Sequence, residues 1–178
     1  MGDFVKGNQY QAYDRLIQIG ILLHREIDSY TDQHEVVRES KDRLKDKYRH
    51  YSGVLVDVFY DHFLALNFSS FSTANLEDFV SSKYALLTAR QEQLPERAQH
   101  MLPYMIKGNW LVNYQTFSGV HSSLSGMSRR TTFESKMEQA IVDLKKHHDA
   151  FNQEFLQFFP DIVRHANNFR EELLTSHT

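Results

Sequence analysis

Cysteine is absent from the 178 residues of this chain, which removes thiolate zinc sites, iron–sulfur clusters, disulfide frameworks and cysteine nucleophiles. Glycine and proline are scarce, seven and three in all, and neither gathers into a linker-like stretch. No apolar run approaches the roughly 20 residues that span a bilayer, and no basic-then-apolar leader is present. Basic charge is not in surplus either: the formal net charge is −3, which disfavours a general nucleic-acid binder. A phosphate-cradling glycine loop, a G-x-S-x-G elbow, an H-E-x-x-H pair and a dinucleotide fingerprint are all missing, so classical serine and P-loop chemistry drops out. A cysteine-free chain with no membrane segment leads to the expectation of a soluble cytoplasmic protein with no membrane or nucleic-acid partner.

What the chain does have is apolar content, 41%, spaced almost throughout at helical rather than alternating intervals. The expected fold is all-α, a single-domain multi-helix bundle covering residues 1–178. Helices are expected at about 11–29, with Leu16, Ile17, Ile19, Gly20, Leu23 and Ile27 inward and Gly20 allowing close packing, and at 33–48, opened by a Thr31-Asp32 cap with Glu35 at capping-box spacing. Ser52-Gly53 punctuates the chain before a central helix over 54–67. A polar loop over 69–75, capped at Thr73 or Asn75, leads into a helix through Leu76 to Leu87. A helix with Pro95 in its first turn follows, broken or kinked at Pro103 within 101–106 and ended by Gly108, then helices at 110–117, 120–126, 133–151 and 152–174, the last kinked or divided at Pro160.

Two clusters stand out from this pattern: His24-Arg25-Glu26-Ile27-Asp28, and Asp57-Val58-Phe59-Tyr60-Asp61-His62. Residues four apart lie one turn above each other on a helix, so His24 stacks over Asp28 and Asp57 over Asp61. Either cluster alone is what an ordinary solvated helix face carries. Their apolar flanks, Ile21-Leu22-Leu23, Val54-Leu55-Val56 and Phe63-Leu64, place them at the buried edge of their helices, where paired carboxylates repel and a cation relieves the repulsion. Imidazole and carboxylate donors suit Mn²⁺, Mg²⁺, Fe²⁺ or Zn²⁺. His62 directly follows Asp61 and is a second candidate for proton transfer. Arg129-Arg130 fits either a helix carboxyl end, where cations complement the dipole, or a phosphate. His147-His148-Asp149 is a weaker metal candidate, because adjacent helical residues diverge by about 100°.

Taken in order, Gly2-Asp3-Phe4-Val5-Lys6-Gly7, Gly20-Ile21 to His24-Arg25 with Ile27-Asp28 and Thr31-Asp32, then Asp57 to Asp61-His62-Phe63-Leu64, form a specific series. Trp110-Leu111-Val112 with Tyr114, Leu124-Ser125-Gly126-Met127 with Arg129-Arg130, and Phe155-Leu156 through Pro160 extend it over nearly the whole chain. The series resembles the acyl carrier protein phosphodiesterases, divergent relatives of HD-domain phosphohydrolases. The resemblance implies an HD-domain-like helical fold and a place in fatty acid biosynthesis. It also implies a divalent-cation-dependent hydrolysis, typically with manganese, that removes 4′-phosphopantetheine from a serine of holo acyl carrier protein. Carried over residue by residue, it points to Asp3, His24, Asp28, Asp57 and Asp61 as metal ligands, with Asp32 in the same strings. Asp61 and His62 are then the catalytic candidates, and Arg25, Arg129 and Arg130 the candidates for phosphate or partner contact.

Family members usually begin further upstream, with an apolar, histidine-containing segment, so a helix and a ligand of the usual site are expected to lie outside this chain. Because acyl carrier proteins are acidic, docking is expected on a local basic surface, for which Lys41, Arg43, Lys45 and Lys47 are a candidate patch. Two other readings fit the same residues: a phosphohydrolase acting on a nucleotide or other small phosphoester, and a non-catalytic helical module that binds acyl carrier protein.

Overall fold

The structure is a computed structural model and describes residues 4–175. Among them are ten α-helices and no strand, as the periodicity implies. A 3-10 turn over Gly7–Ala12 precedes α1 (Arg15–Gln33), α2 (Glu35–Tyr48), α3 (Ser52–Leu66) and a short α4 (Phe68–Phe71). These are followed by α5 (Leu76–Ala89), α6 (Glu96–Lys107), α7 (Trp110–Asn113), α8 (Phe117–Ser128), α9 (Ala140–Lys146) and α10 (His148–Thr175).

The centre of the bundle is α3. Leu55, Val56, Val58, Phe59, Tyr60, His62, Phe63 and Ala65 are all buried, so the helix is covered on nearly every side, as its apolar composition requires. α2, α8 and α10 pack around it. Phe59 meets Phe151 edge-on at 5.1 Å, and Tyr60 meets Phe155 at 5.6 Å. A polar network ties three of these helices together. The Arg43 guanidinium of α2 donates to both oxygens of the buried Glu154 carboxylate of α10, at 2.8 and 2.6 Å. Ser40 donates to the same carboxylate and bonds the Tyr60 hydroxyl of α3. A buried carboxylate so fully partnered is tolerated because its oxygens are satisfied.

Several boundaries differ from the sequence expectation. α1 runs through Thr31 and Asp32, and α2 starts after His34, whose extended backbone (φ −68°, ψ 135°) makes the break. Packing prevails over the capping signal here: Tyr30 in the last turn of α1 stacks on His165 of α10 at 4.2 Å. Gly20 is exposed, and a Cβ there would meet nothing within 4 Å, so it serves no close packing. Leu16 is 75% exposed, and Ile21 is the buried residue of α1.

Phe68–Phe71 is helical within the expected loop, and Asn75 caps α5, its side chain accepting from the Glu77 amide at 2.8 Å. Pro103 and Pro160 lie inside uninterrupted helices. Both prolines are exposed, where solvent can satisfy the carbonyl that loses its helical partner. Thr116 separates α7 from α8 by capping the latter, accepting from the Gly119 amide at 3.0 Å.

The expected helix over 133–151 is interrupted. Lys136 takes a left-handed φ of 55°, and Ser128 donates to Glu138 and bonds Ser135. These side-chain bonds compete with helix formation, leaving α9 and then a break at His147.

No helix among the described residues is long and apolar enough to cross a membrane.

Candidate active site

Of the fifteen residues of α3, the two acids occupy the one face that the neighbouring helices leave open. Asp57 and Asp61 are exposed, while their flanks Val56, Val58, Tyr60 and His62 are buried. That open face forms the floor of a cleft of about 620 Å³, walled by α1 and by Phe155, Phe158 and Phe159 of α10. From α1 it receives Asp28 and Asp32, so four carboxylates line one cleft. His24, one turn before Asp28, places its Nδ1 2.9 Å from Asp28 Oδ2. The structure therefore brings Asp28 of the first cluster and Asp57 and Asp61 of the second to one cleft, which His24 itself does not line. Asp32, less certain in the sequence, joins them because α1 extends one turn further than its capping signal suggests.

A second cleft, of about 730 Å³, lies between α6, α7 and α8 and shares Asp61 with the first. Met101, Met105 and Trp110 line it, together with Arg129 and Arg130 just past the end of α8. The expected phosphate-binding pair thus opens onto the same cavity as the candidate catalytic carboxylate. Asp61 is enclosed by protein on most sides while its carboxylate remains wetted by the clefts. Burial, and then the charge of Asp57, push its carboxyl up to about 7, a value suited to holding or releasing a proton near neutrality. Tyr114 lines the second cleft, and its phenol is pushed up by burial and by the Asp61 charge.

Other candidates fall elsewhere. Asp3 lies outside the described residues. Arg25 donates from Nη2 to the carbonyls of Val5 and Gly7, both at 2.8 Å, and lies over the Tyr10 ring. It fastens the amino-terminal segment to α1 and lines neither cleft. His62 is 1% exposed and faces the core between Phe63, Phe117 and His148, about 100° around the helix from its neighbour Asp61. Its Nδ1 donates to the Tyr114 carbonyl at 2.6 Å, and burial pushes its pKa down.

The supposed basic patch is neutralised. Lys41 pairs with Asp32, Arg43 with Glu154, Lys45 with Asp42 and Lys47 with Asp143. Sequence reasoning did not assign the aromatic wall of the first cleft or the Met101, Met105 and Trp110 wall of the second; aromatic and thioether residues at helical spacing carry no signal that separates a cleft from a core.

The family model described as acyl carrier protein phosphodiesterase matches residues 1–162. The chain belongs to this family. Acyl carrier protein phosphodiesterases that it resembles include one from Photorhabdus laumondii, 30% identical over 94% of this chain and 85% of that protein. Another from Enterobacter sp. is 30% identical over 94% and 88%, and one from Escherichia coli O6:H1 is 29% identical over 94% and 87%. No solved structure matches.

In this family member, the four cleft carboxylates and His24 provide hard oxygen and imidazole donors of the kind a divalent cation takes. In their present arrangement, no three His, Asp or Glu side chains among the described residues stand close enough to hold an ion. The donor chemistry fits nonetheless. Burial, and then the charge of Asp57, raise the Asp61 carboxyl, and a cation is what removes such a penalty.

Proposed function

We propose that this chain is a divalent-cation-dependent phosphodiesterase acting on holo acyl carrier protein in the cytoplasm, hydrolysing the bond between 4′-phosphopantetheine and its serine. The observation that carries the reading is the position of Asp61. It is shared by a cleft of four carboxylates and a cleft holding Arg129 and Arg130, so acid, cation donors and phosphate-binding charge meet at one residue. The names of the relatives supply the substrate.

His24, Asp28, Asp57 and Asp61 would hold the cation, with Asp32 in reach of the same cleft and Asp3 added by the family resemblance. A bound Mn²⁺, Mg²⁺ or Fe²⁺ supplies charge against the phosphoryl oxygens and acidifies a water. Arg129 and Arg130 present planar guanidinium forks to the phosphate and keep the phosphorus oriented. As a carboxylate in the cation-bound protein, Asp61 would take the proton released by the attacking water and pass it to the departing serine oxygen. Tyr114, lining the same cleft as Asp61, keeps its proton.

Mass spectrometry of holo acyl carrier protein incubated with the full chain tests the reading. Loss of the 4′-phosphopantetheine mass with Mn²⁺ and its retention with chelator is the expected result. An intact holo protein under both conditions, with the carrier correctly folded, contradicts it.

A further inference from the structure

The second cleft is larger than a phosphate requires. Its volume of about 730 Å³ lies within the range of sites that enclose extended small molecules, roughly 300–1,000 Å³. Met101, Met105 and Trp110 give it an adaptable apolar wall, and Arg129 and Arg130 add charge. Neither arginine takes part in an ion pair among the described residues, whereas Arg43, Arg164 and Arg170 do.

Two glycines of α8 sharpen the point. At Gly119 a Cβ would strike the Asn113 backbone at 1.9 Å, so packing demands glycine there. At Gly126 a Cβ would meet nothing within 4 Å, and no left-handed φ requires glycine. Glycine inside a helix is disfavoured relative to alanine. What Gly126 provides is empty volume in the cleft wall, beside Arg129 and Arg130.

We propose that the second cleft receives the half of the substrate that departs with the phosphate. That half is a flexible, uncharged amide chain ending in a phosphate group, with Arg129 and Arg130 gripping the phosphate and Trp110, Met101 and Met105 holding the chain. The assignment rests on the phosphodiesterase reading. In that hydrolysis water forms the new bond to phosphorus, the bond from phosphorus to the serine oxygen breaks, and the serine oxygen takes a proton. The phosphate therefore stays with the chain and not with the carrier protein. The arginine-bearing cleft attracts an anionic group.

Trp110 is the single tryptophan, so its fluorescence reports occupancy of this cleft without reference to catalysis. Titration of the full chain with 4′-phosphopantetheine is expected to change Trp110 emission saturably. Gly126→Phe, which fills the open wall, is expected to weaken binding by roughly tenfold or more. Ser122→Phe, at an exposed position lining the same cleft, serves as the filling variant if circular dichroism shows Gly126→Phe unfolded.

Saturable binding measured by equilibrium dialysis with no change at Trp110 overturns the assignment, as does equal affinity in both filled variants. Failure to release 4′-phosphopantetheine from holo carrier protein overturns the activity reading instead. The Trp110 titration still decides independently whether the cleft binds such a chain.

Discussion

Asp57 and Asp61 stand one turn apart on the open face of an otherwise buried helix. Burial, and then the charge of Asp57, hold the Asp61 carboxyl at about 7 against an ordinary value of 3.8. The folded protein therefore keeps a proton that the unfolded chain gives up between these two values. By linkage, this contribution to stability is present at low pH and is lost as pH rises from about 4 to 7. In cation-free buffer, Asp61→Asn is expected to match the parent near pH 4 and to be more stable at pH 8. The gain should be about 1 kcal/mol, because solvent in the clefts screens the repulsion. Urea unfolding at both pH values measures it, and equal stability at pH 8 counts against the repulsion.

Replacing either acid by alanine removes a cation donor and, at Asp61, the proton-transfer group. Asp57→Ala and Asp61→Ala are each expected to lower Mn²⁺-dependent cleavage of holo acyl carrier protein by about a hundredfold or more. Folding should be unaffected, since both side chains face the clefts rather than the core. Steady-state rates with circular dichroism as the control give the answer; full activity in both variants removes these residues from the mechanism.

Arg25 was legible in the sequence as a cation beside the first cluster, but its partners were not. They are backbone carbonyls of Val5 and Gly7, 20 and 18 residues earlier. Arg25→Ala is expected to cost about 1–3 kcal/mol through two lost charge-assisted bonds and to speed proteolysis near residues 4–12. Binding of 4′-phosphopantetheine should not change. A loss of that binding with stability intact would return Arg25 to the phosphate site.

Burial pushes the His62 pKa down, whereas the unfolded chain protonates it near its ordinary 6.5. The unfolded state thus binds more protons just below that value, so stability falls as pH drops below about 6.5, by up to about 1.4 kcal/mol per pH unit. His62→Phe is expected to flatten this slope between pH 5 and 6.5 while losing the bond to the Tyr114 carbonyl. Denaturant unfolding across that interval checks it, and an unaltered slope would show another group titrating.

The helical class, the central place of α3 and the union of the two acidic clusters were readable in advance, because apolar periodicity and i,i+4 spacing act locally. What escaped was set by distant packing. The Tyr30–His165 stack carries α1 past its apparent cap and brings Asp32 to the cleft. The Ser128–Glu138 bond breaks the helix expected before Phe151. The pairing of Lys41, Arg43 and Lys47 with Asp32, Glu154 and Asp143 erases a basic patch that looked free in the chain. The second cleft arises only where α6, α7 and α8 meet, so nothing local in the chain signalled that Asp61 would share it with Arg129 and Arg130.

The cleft between α1 and α3 is expected to hold a divalent cation. Electron paramagnetic resonance of free Mn²⁺, titrated with the full chain, measures this without any substrate. The account predicts that the parent protein depletes the free Mn²⁺ signal stoichiometrically and that Asp57→Ala and Asp61→Ala lose most of that binding. Equal depletion by parent and variants, or none by the folded parent, would contradict it.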